Sequence, residues 1–152
     1  MTPPTRIAVG YDGSRDADAA LSWAASVAAA LGAEVRVIHA VGILEHAGLS
    51  VVSAHEERAR LVASRAGLDP ARFEWRVLDG DPDSVLCRVA EGEDGADLLV
   101  VGTRGAGAHP DKLLGSTSLC LAERAPVPVV VVPVPSEDVT RSSTGGAVPA
   151  RG

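Results

Sequence analysis

The residues best suited to chemistry form a glycine-rich segment that ends in a run of hydroxyl side chains. Its glycines and hydroxyls are Gly102, Gly105, Gly107, Gly115, Ser116, Thr117 and Ser118. Glycines let a backbone approach a ligand closely, and successive N–H groups can then converge on an anion. A helix that begins at Ser116 would add unpaired N–H groups and the positive end of its dipole. The segment therefore predicts a site for phosphate oxygens.

The same segment carries a hydroxyl and a positive charge close to its first glycine. Thr103 and Arg104 come directly after Gly102. We include both in the predicted phosphate site, where an arginine would pair with anionic oxygens. Arg104 could equally point into solvent, and the sequence leaves both orientations open.

A carboxylate provides the second candidate. Gly10 ends an apolar run at residues 6–10, and Asp12 follows it in a short turn. In open α/β sheets, ligands bind beyond the carboxyl ends of the strands, where the strand order reverses. Gly10 and Asp12 are therefore expected to share a crevice with the segment that begins at Gly102. Asp12 could instead be a turn residue that hydrogen-bonds its own backbone, so both interpretations stay open.

Common phosphate and metal motifs do not account for these residues. The P-loop pattern GxxxxGK[ST] is absent, because Lys112 lies before Gly115 instead of directly after a glycine. The dinucleotide pattern GxGxxG is also absent, since the order here is GxxGxG. The four histidines and the cysteines Cys87 and Cys120 lack the spacing of metal ligands. We therefore predict neither a catalytic side chain nor a metal-binding one.

Alternating apolar runs and amphipathic stretches predict the elements that position these residues. The predicted strands are 6–10, 34–39, 73–78, 97–102 and 127–133, and the predicted helices are 15–31, 53–66, 81–91 and 116–123. This alternation is typical of a doubly wound α/β fold, with a five-stranded parallel sheet and helices on both faces. The prolines of strand 127–133 favour an edge position.

The domain organisation follows from composition. Residues 1–135 have the length and the apolar content of one domain. Residues 136–152 consist largely of Ser, Thr, Gly, Pro and Arg, and we expect them to form a disordered tail. Aromatic residues make up only 3% of the chain, so Ala, Val and Leu must fill the core. That composition favours close-packed helix-on-sheet layers.

Charge and hydropathy exclude several classes of partner. The net charge of -6 argues against a protein that coats nucleic-acid phosphates. No apolar run approaches the length of about 18 residues that indicates a membrane span. The residues before the first strand lack the apolar core of a signal peptide, so the cytoplasm is the expected location.

These segments together resemble the universal stress protein family. The spacing Gly102-x2-Gly105-x9-Gly115-Ser116 resembles that family's nucleotide motif G-x2-G-x9-G-[ST]. Further similar segments are residues 9–14 (VGYDGS), 37–40 (VIHA), 96–105 (ADLLVVGTRG) and 125–132 (APVPVVVV). The resemblance covers residues 5–134, which is nearly all of the chain outside the predicted tail.

The resemblance implies a sheet in the order 3-2-1-4-5 that binds ATP between its first and fourth strands. It assigns Asp12 to the adenine or ribose side, and Ala40 to the place where backbone atoms meet the adenine. Residues implied to hold the ribose and phosphates are Gly102, Gly105, Gly115, Ser116 and Thr117. It also implies a homodimer. The apolar edge strand 127–133 is the expected interface, because pairing it with a second copy removes an aggregation risk.

The expected function is that of an ATP-binding regulatory module, with Mg2+ accompanying the phosphates without dedicated protein ligands. The alternative is a slow ATP-hydrolysing or nucleotidyl-transferring enzyme on the same fold, for which Asp12 is the one base to consider. A third hypothesis is an interaction protein whose loop binds nothing. The choice between ATP, AMP and a cyclic nucleotide stays open, because a site made of backbone N–H groups distinguishes poorly between ligands with different numbers of phosphates.

Overall fold

Five strands and four helices alternate along the described part of the chain. The computed structural model describes residues 2–42, 49–105 and 114–134. The strands are β1 (Arg6–Gly10), β2 (Glu34–Val41), β3 (Phe73–Asp79), β4 (Leu98–Gly102) and β5 (Val129–Val132). The helices are α1 (Arg15–Leu31), α2 (Leu49–Arg65), α3 (Pro82–Val89) and α4 (Ser116–Arg124), with a 3-10 turn at Pro70–Arg72.

Every strand pair is parallel, and the sheet has the order β3-β2-β1-β4-β5. The predicted fold class and strand order are therefore confirmed. The order reverses between β1 and β4, because the chain leaves β1 toward β2 and later returns to add β4 on the other side. This reversal creates the crevice in which ligands of open α/β sheets bind.

Each face of the sheet has its own apolar core, covered by two helices. On one face, alanines of α1 such as Ala24 and Ala28 pack on Val9 and Val37, together with residues of α2. On the other face, α3 and α4 contribute buried aliphatic side chains that pack on strand residues, namely Leu86, Leu121, Ile38 and Leu99. The alanines of α1 let this helix lie close to the sheet, as the aromatic-poor composition predicts.

Several element boundaries differ from the prediction by a few residues, most clearly those of α2, α3 and β5. α2 begins at Leu49 instead of residue 53, since the periodic pattern before it was weak. α3 ends at Val89 instead of near Glu91, ahead of Gly92, whose φ of 83° favours glycine. β5 is limited to Val129–Val132 because prolines flank it. None of these differences moves the carboxyl ends of β1 and β4.

Some predictions fall outside the described residues. Gly107 and the proposed tail at residues 136–152 belong to this group. No helix in the part of the chain that the structure describes combines the length and apolar character needed to cross a membrane.

Candidate functional site

Two glycines close the neighbouring strands β1 and β4, and each allows a close contact below the crevice. A Cβ atom on Gly10 would lie 3.0 Å from Leu86 Cδ1 and 3.2 Å from Val101 Cγ1, so Gly10 makes room for α3. A Cβ atom on Gly102 would lie 2.7 Å from the backbone of Asp16, so Gly102 lets the first turn of α1 reach the end of β4. Packing accounts for both glycines, which shape the floor of the crevice.

Asp12 forms the turn between β1 and α1. Its Oδ1 accepts a hydrogen bond from the Ser14 N–H at 3.0 Å, and the Ser14 hydroxyl caps α1 by accepting from the Ala17 N–H at 3.1 Å. The turn interpretation of Asp12 is thus confirmed. The second oxygen, Oδ2, faces the loop after β4, because a Cβ atom on Gly105 would lie 2.9 Å from it. One carboxylate therefore holds its own turn and lines the crevice.

The two described ends of the glycine-rich loop meet beside Asp12. The Gly115 N–H donates to the Thr103 carbonyl at 2.6 Å. A Cβ atom on Gly115 would lie 3.8 Å from the Gly105 nitrogen. Gly115 is also the N-cap of α4, and no side chain among the described residues caps this helix start. The first turn of α4 consequently opens next to Gly105, with N–H groups that can bind an anion.

The three hydroxyls at the start of α4 have different surroundings. Ser118 is 3% exposed, and its Oγ donates to the Gly102 carbonyl at 2.8 Å. Ser118 therefore fastens α4 to the end of β4. Ser116 is exposed and Thr117 is half-buried, so these two lie where a ligand could reach them.

The sequence alone does not identify Asp16 as part of the site. Its Oδ2 accepts hydrogen bonds from the Thr103 hydroxyl at 3.0 Å and from the Arg104 N–H at 2.9 Å. The Arg104 Nε lies 3.8 Å from the same oxygen, so the guanidinium of Arg104 faces a carboxylate. The sequence indicates only a favourable charge at the start of α1, because the partners of Asp16 lie 87 and 88 residues away along the chain.

A cluster of four aromatic rings supports the crevice from the α2 side. His39 Nδ1 donates to the Tyr11 carbonyl at 2.8 Å. Trp75 stacks on His39 with ring centroids 5.8 Å apart, and His55 meets both His39 and Tyr11 edge-on. The His55 ring lies directly against Gly13, which has a φ of 79°. Ala40, the next residue of β2, is half-buried.

Tyr11, the residue before Asp12, takes part in a network of polar contacts between α1 and α2. The Tyr11 hydroxyl donates to Asp18 Oδ1 at 2.6 Å, and the Arg58 guanidinium binds Asp18 Oδ2. Burial, followed by the hydrogen bond to Asp18, raises the pKa of Tyr11 far above its ordinary value. Tyr11 therefore stays protonated and holds the β1 end of the crevice in place.

This arrangement is suited to binding an anion next to a hydrogen-bond acceptor. Backbone N–H groups and hydroxyls face one side of the crevice, and a carboxylate that can accept from a ribose or an amine faces the other. Within residues 2–42, 49–105 and 114–134, no group of three or more histidine, cysteine or acidic side chains could hold a metal ion.

Comparison with known proteins matches the chain to one family. The model of the "Universal stress protein family" matches residues 4–133. A universal stress protein from Thermus aquaticus is 35% identical over 133 residues, which cover 83% of this chain and 96% of the relative. One from Mycolicibacterium smegmatis is 33% identical over 138 residues, and the match spans only 47% of that longer protein.

A solved structure extends this similarity to three dimensions. The crystal structure of a universal stress protein in complex with cAMP superposes with a TM-score of 0.72 at 31% sequence identity. The match covers 86% of this chain and 98% of that one.

Proposed function

The chain belongs to the universal stress protein family, and we propose that it is an adenine-nucleotide-binding regulatory module. The observation that carries this proposal is the meeting of Asp12, Gly105 and the start of α4 at the strand-order reversal. A nucleotide needs N–H donors for its phosphates next to a hydrogen-bond acceptor for its sugar or base. These residues would supply both within one crevice.

The phosphates would bind to the N–H groups of Gly105 and of the first turn of α4, with the Ser116 and Thr117 hydroxyls beside them. Asp12 Oδ2 would accept from the ribose hydroxyls or the adenine side, and the backbone near Ala40 would meet the base. Support comes from the cAMP complex of a family member that shares 31% of its residues with this chain. The roles of Gly10, Gly102 and Ser118 would be to shape the cradle through packing.

We propose ATP as the principal ligand, with Mg2+ held by the phosphates. Occupancy would regulate the protein by shifting an equilibrium between two conformational or assembly states, to the extent that the nucleotide prefers one of them.

The competing function is a slow ATP-hydrolysing or nucleotidyl-transferring enzyme. Asp12 is the candidate base, but its Oδ1 is occupied by the Ser14 N–H and its Oδ2 faces Gly105. A general base needs to reach the proton that it removes, together with a positioned nucleophile. The geometry around Asp12 favours ligand binding over proton transfer.

Calorimetric titration of ATP and AMP, followed by a phosphate-release assay, tests this proposal. The wild-type protein should bind an adenine nucleotide, and Asp12→Ala should weaken binding about tenfold or more, a loss of about 1.4 kcal/mol. Asp81→Ala is the matched control, because Asp81 is an exposed carboxylate at the start of another helix and makes no capping hydrogen bond there. Absence of binding by the wild type would refute the proposal, and turnover near one per second would favour the enzyme.

The protein is also proposed to form a homodimer through β5, within the predicted strand 127–133. β5 pairs with β4 alone in the described sheet, so its other edge offers unpaired backbone groups. An apolar edge strand is an aggregation risk unless another strand covers it, and a second copy of β5 would do so.

A further inference from the structure

Asp16 connects the two halves of the candidate site. It belongs to the first turn of α1, which follows Asp12, and its Oδ2 binds the Thr103 hydroxyl and the Arg104 N–H of the loop after β4. The side chain of Asp16 is only 15% exposed, so water competes little for these hydrogen bonds. Hydrogen bonds to an ionised carboxylate are among the stronger ones in proteins.

Packing fixes the position of Asp16 in addition to the hydrogen bonds that its side chain accepts. Gly102 lies so close to the Asp16 backbone that any Cβ atom there would stand 2.7 Å from it. The first turn of α1 therefore lies against the end of β4 and cannot recede without breaking this contact. Asp16 is thus anchored by its main chain, while its side chain holds the next two residues of the loop.

The effect of Asp16 extends to the start of α4. The Thr103 hydroxyl binds Asp16, and the Thr103 carbonyl accepts from the Gly115 N–H at 2.6 Å. One residue is therefore held by α1 on one side and by the N-cap of α4 on the other. Through Thr103, the carboxylate of Asp16 sets the relative position of both described ends of the loop.

We propose that Asp16 is a positioning residue for the phosphate of a bound nucleotide. It holds the loop after β4 in the conformation that binds phosphate, and it does not touch the ligand. This inference rests on the proposed function. The donors that Asp16 occupies, on Thr103 and Arg104, differ from the N–H groups of Gly105 and α4 that we assign to the phosphate. Asp16 therefore orders the phosphate-binding loop and does not compete with the phosphate for N–H donors.

Calorimetry with two ligands, AMP and adenosine, tests the proposal on Asp16→Ala and Asp16→Asn. The apparent affinity for AMP is proportional to the fraction of molecules whose loop is in the phosphate-binding conformation. If that fraction falls to about one tenth, AMP binding weakens about tenfold. Adenosine has no phosphate, and its affinity should change less than about twofold on the same reasoning. Asp16→Asn retains an acceptor oxygen at the same place and should recover most of the AMP affinity. Asp81→Ala is again the control for loss of a carboxylate at a helix start.

Amide hydrogen exchange supplies a readout that does not depend on any ligand. The Arg104 N–H, which donates to Asp16 in the folded chain, should exchange faster in Asp16→Ala. Gly102→Ala pushes the first turn of α1 away from the loop, and it should reproduce both the faster exchange and the selective loss of AMP affinity.

The possible outcomes separate this inference from the function on which it rests. If the wild type binds neither ATP nor AMP, the proposed function fails. If it binds ATP alone, ATP replaces AMP in the comparison with adenosine. If the wild type binds AMP and Asp16→Ala binds it equally or more tightly, Asp16 does not position the loop and the inference is wrong. Equal losses for AMP and adenosine would also overturn it, because they would indicate a general disruption of the site.

Discussion

The carboxylate of Asp12 and the backbone of Gly105 face each other across the crevice between β1 and β4. They are so close that a Cβ atom on Gly105 would lie 2.9 Å from Asp12 Oδ2. The two residues are far apart in sequence and meet only because the strand order reverses between their strands. A ligand that bridges them would contact the loop after β1 and the loop after β4 at once.

A methyl group at Gly105 should therefore weaken nucleotide binding. Gly105→Ala would force Asp12 or the loop to move, and we expect at least a fivefold loss of AMP affinity, about 1 kcal/mol. Gly42→Ala is the matched control, because a Cβ atom there would have no described atom within 4 Å and Gly42 has no positive φ. Equal affinity losses in both variants, measured by calorimetry, would show that the contact with Asp12 is unimportant.

Tyr11 should resist ionisation until the protein unfolds. It is the one tyrosine in the chain, so the ultraviolet absorbance of tyrosinate reports on this residue alone. Burial and the hydrogen bond to Asp18 raise its pKa, whereas an unfolded chain ionises its tyrosine near pH 10. The free energy of unfolding should consequently fall as the pH rises above about 10.

Asp18→Asn tests the origin of this effect. The variant removes a charge and weakens the acceptor for the Tyr11 hydroxyl, so tyrosinate should form at a lower pH than in the wild type. An unchanged absorbance titration in Asp18→Asn would contradict the assigned role of the network with Arg58.

His55 should make the protein less stable in mildly acidic solution. Burial, followed by the neighbouring His39, lowers the pKa of His55, and Arg58 acts in the same direction. Asp12 and Asp18 oppose this shift without reversing it. The unfolded chain takes up a proton at His55 near pH 6.5 and the folded chain does not, so stability falls as the pH drops below about 6.5.

Urea unfolding between pH ~7.5 and pH ~5.5 measures this dependence. His55→Gln removes the titrating group and should flatten the profile over this range. A profile with the same slope in the variant as in the wild type would mean that another group is responsible for the acid sensitivity.

Val131→Pro should convert the proposed dimer into a monomer that remains folded. The Leu99 N–H donates to the Pro128 carbonyl at 3.0 Å, and Leu99 is in register with Val129. In a parallel ladder, hydrogen bonds to the neighbouring strand alternate along β5, so the N–H of Val131 points away from β4. Proline at this position removes a donor from the outer edge only.

Sedimentation and circular dichroism check this prediction together. Val131→Ala is the control, because it shortens the same side chain and keeps the N–H. If Val131→Pro remains dimeric with an intact fold, the outer edge of β5 is not the interface.

The sequence predicted the framework of this protein better than its contacts. Apolar runs that end in glycine located β1 and β4, and the predicted helix 15–31 has the same bounds as α1. These signals are local, because strand pattern and helix capping depend on neighbouring residues. The sheet order came from the family resemblance, which the fold confirms.

The contacts that the sequence could not reveal join distant segments. The glycine pattern predicts that Gly102 lines the ligand site, and it gives no sign that the backbone of Asp16, in another element, is its immediate neighbour. Ser118 was grouped with two other hydroxyls, but it alone turns inward to the Gly102 carbonyl. Both facts depend on how α1 and α4 pack on the end of β4, and residue type alone does not encode that geometry.

Backbone-amide NMR during a titration with AMP tests the central claim most directly. If the loop after β4 and the start of α4 hold the phosphate beside Asp12, the largest chemical-shift changes should fall on the amides of Gly105, Gly115, Ser116 and Thr117. A titration with adenosine should affect Asp12 and its neighbour Gly105, and it should leave the amides of Gly115, Ser116 and Thr117 nearly unchanged. Saturable changes confined to other surfaces, or no changes at all, would contradict the account.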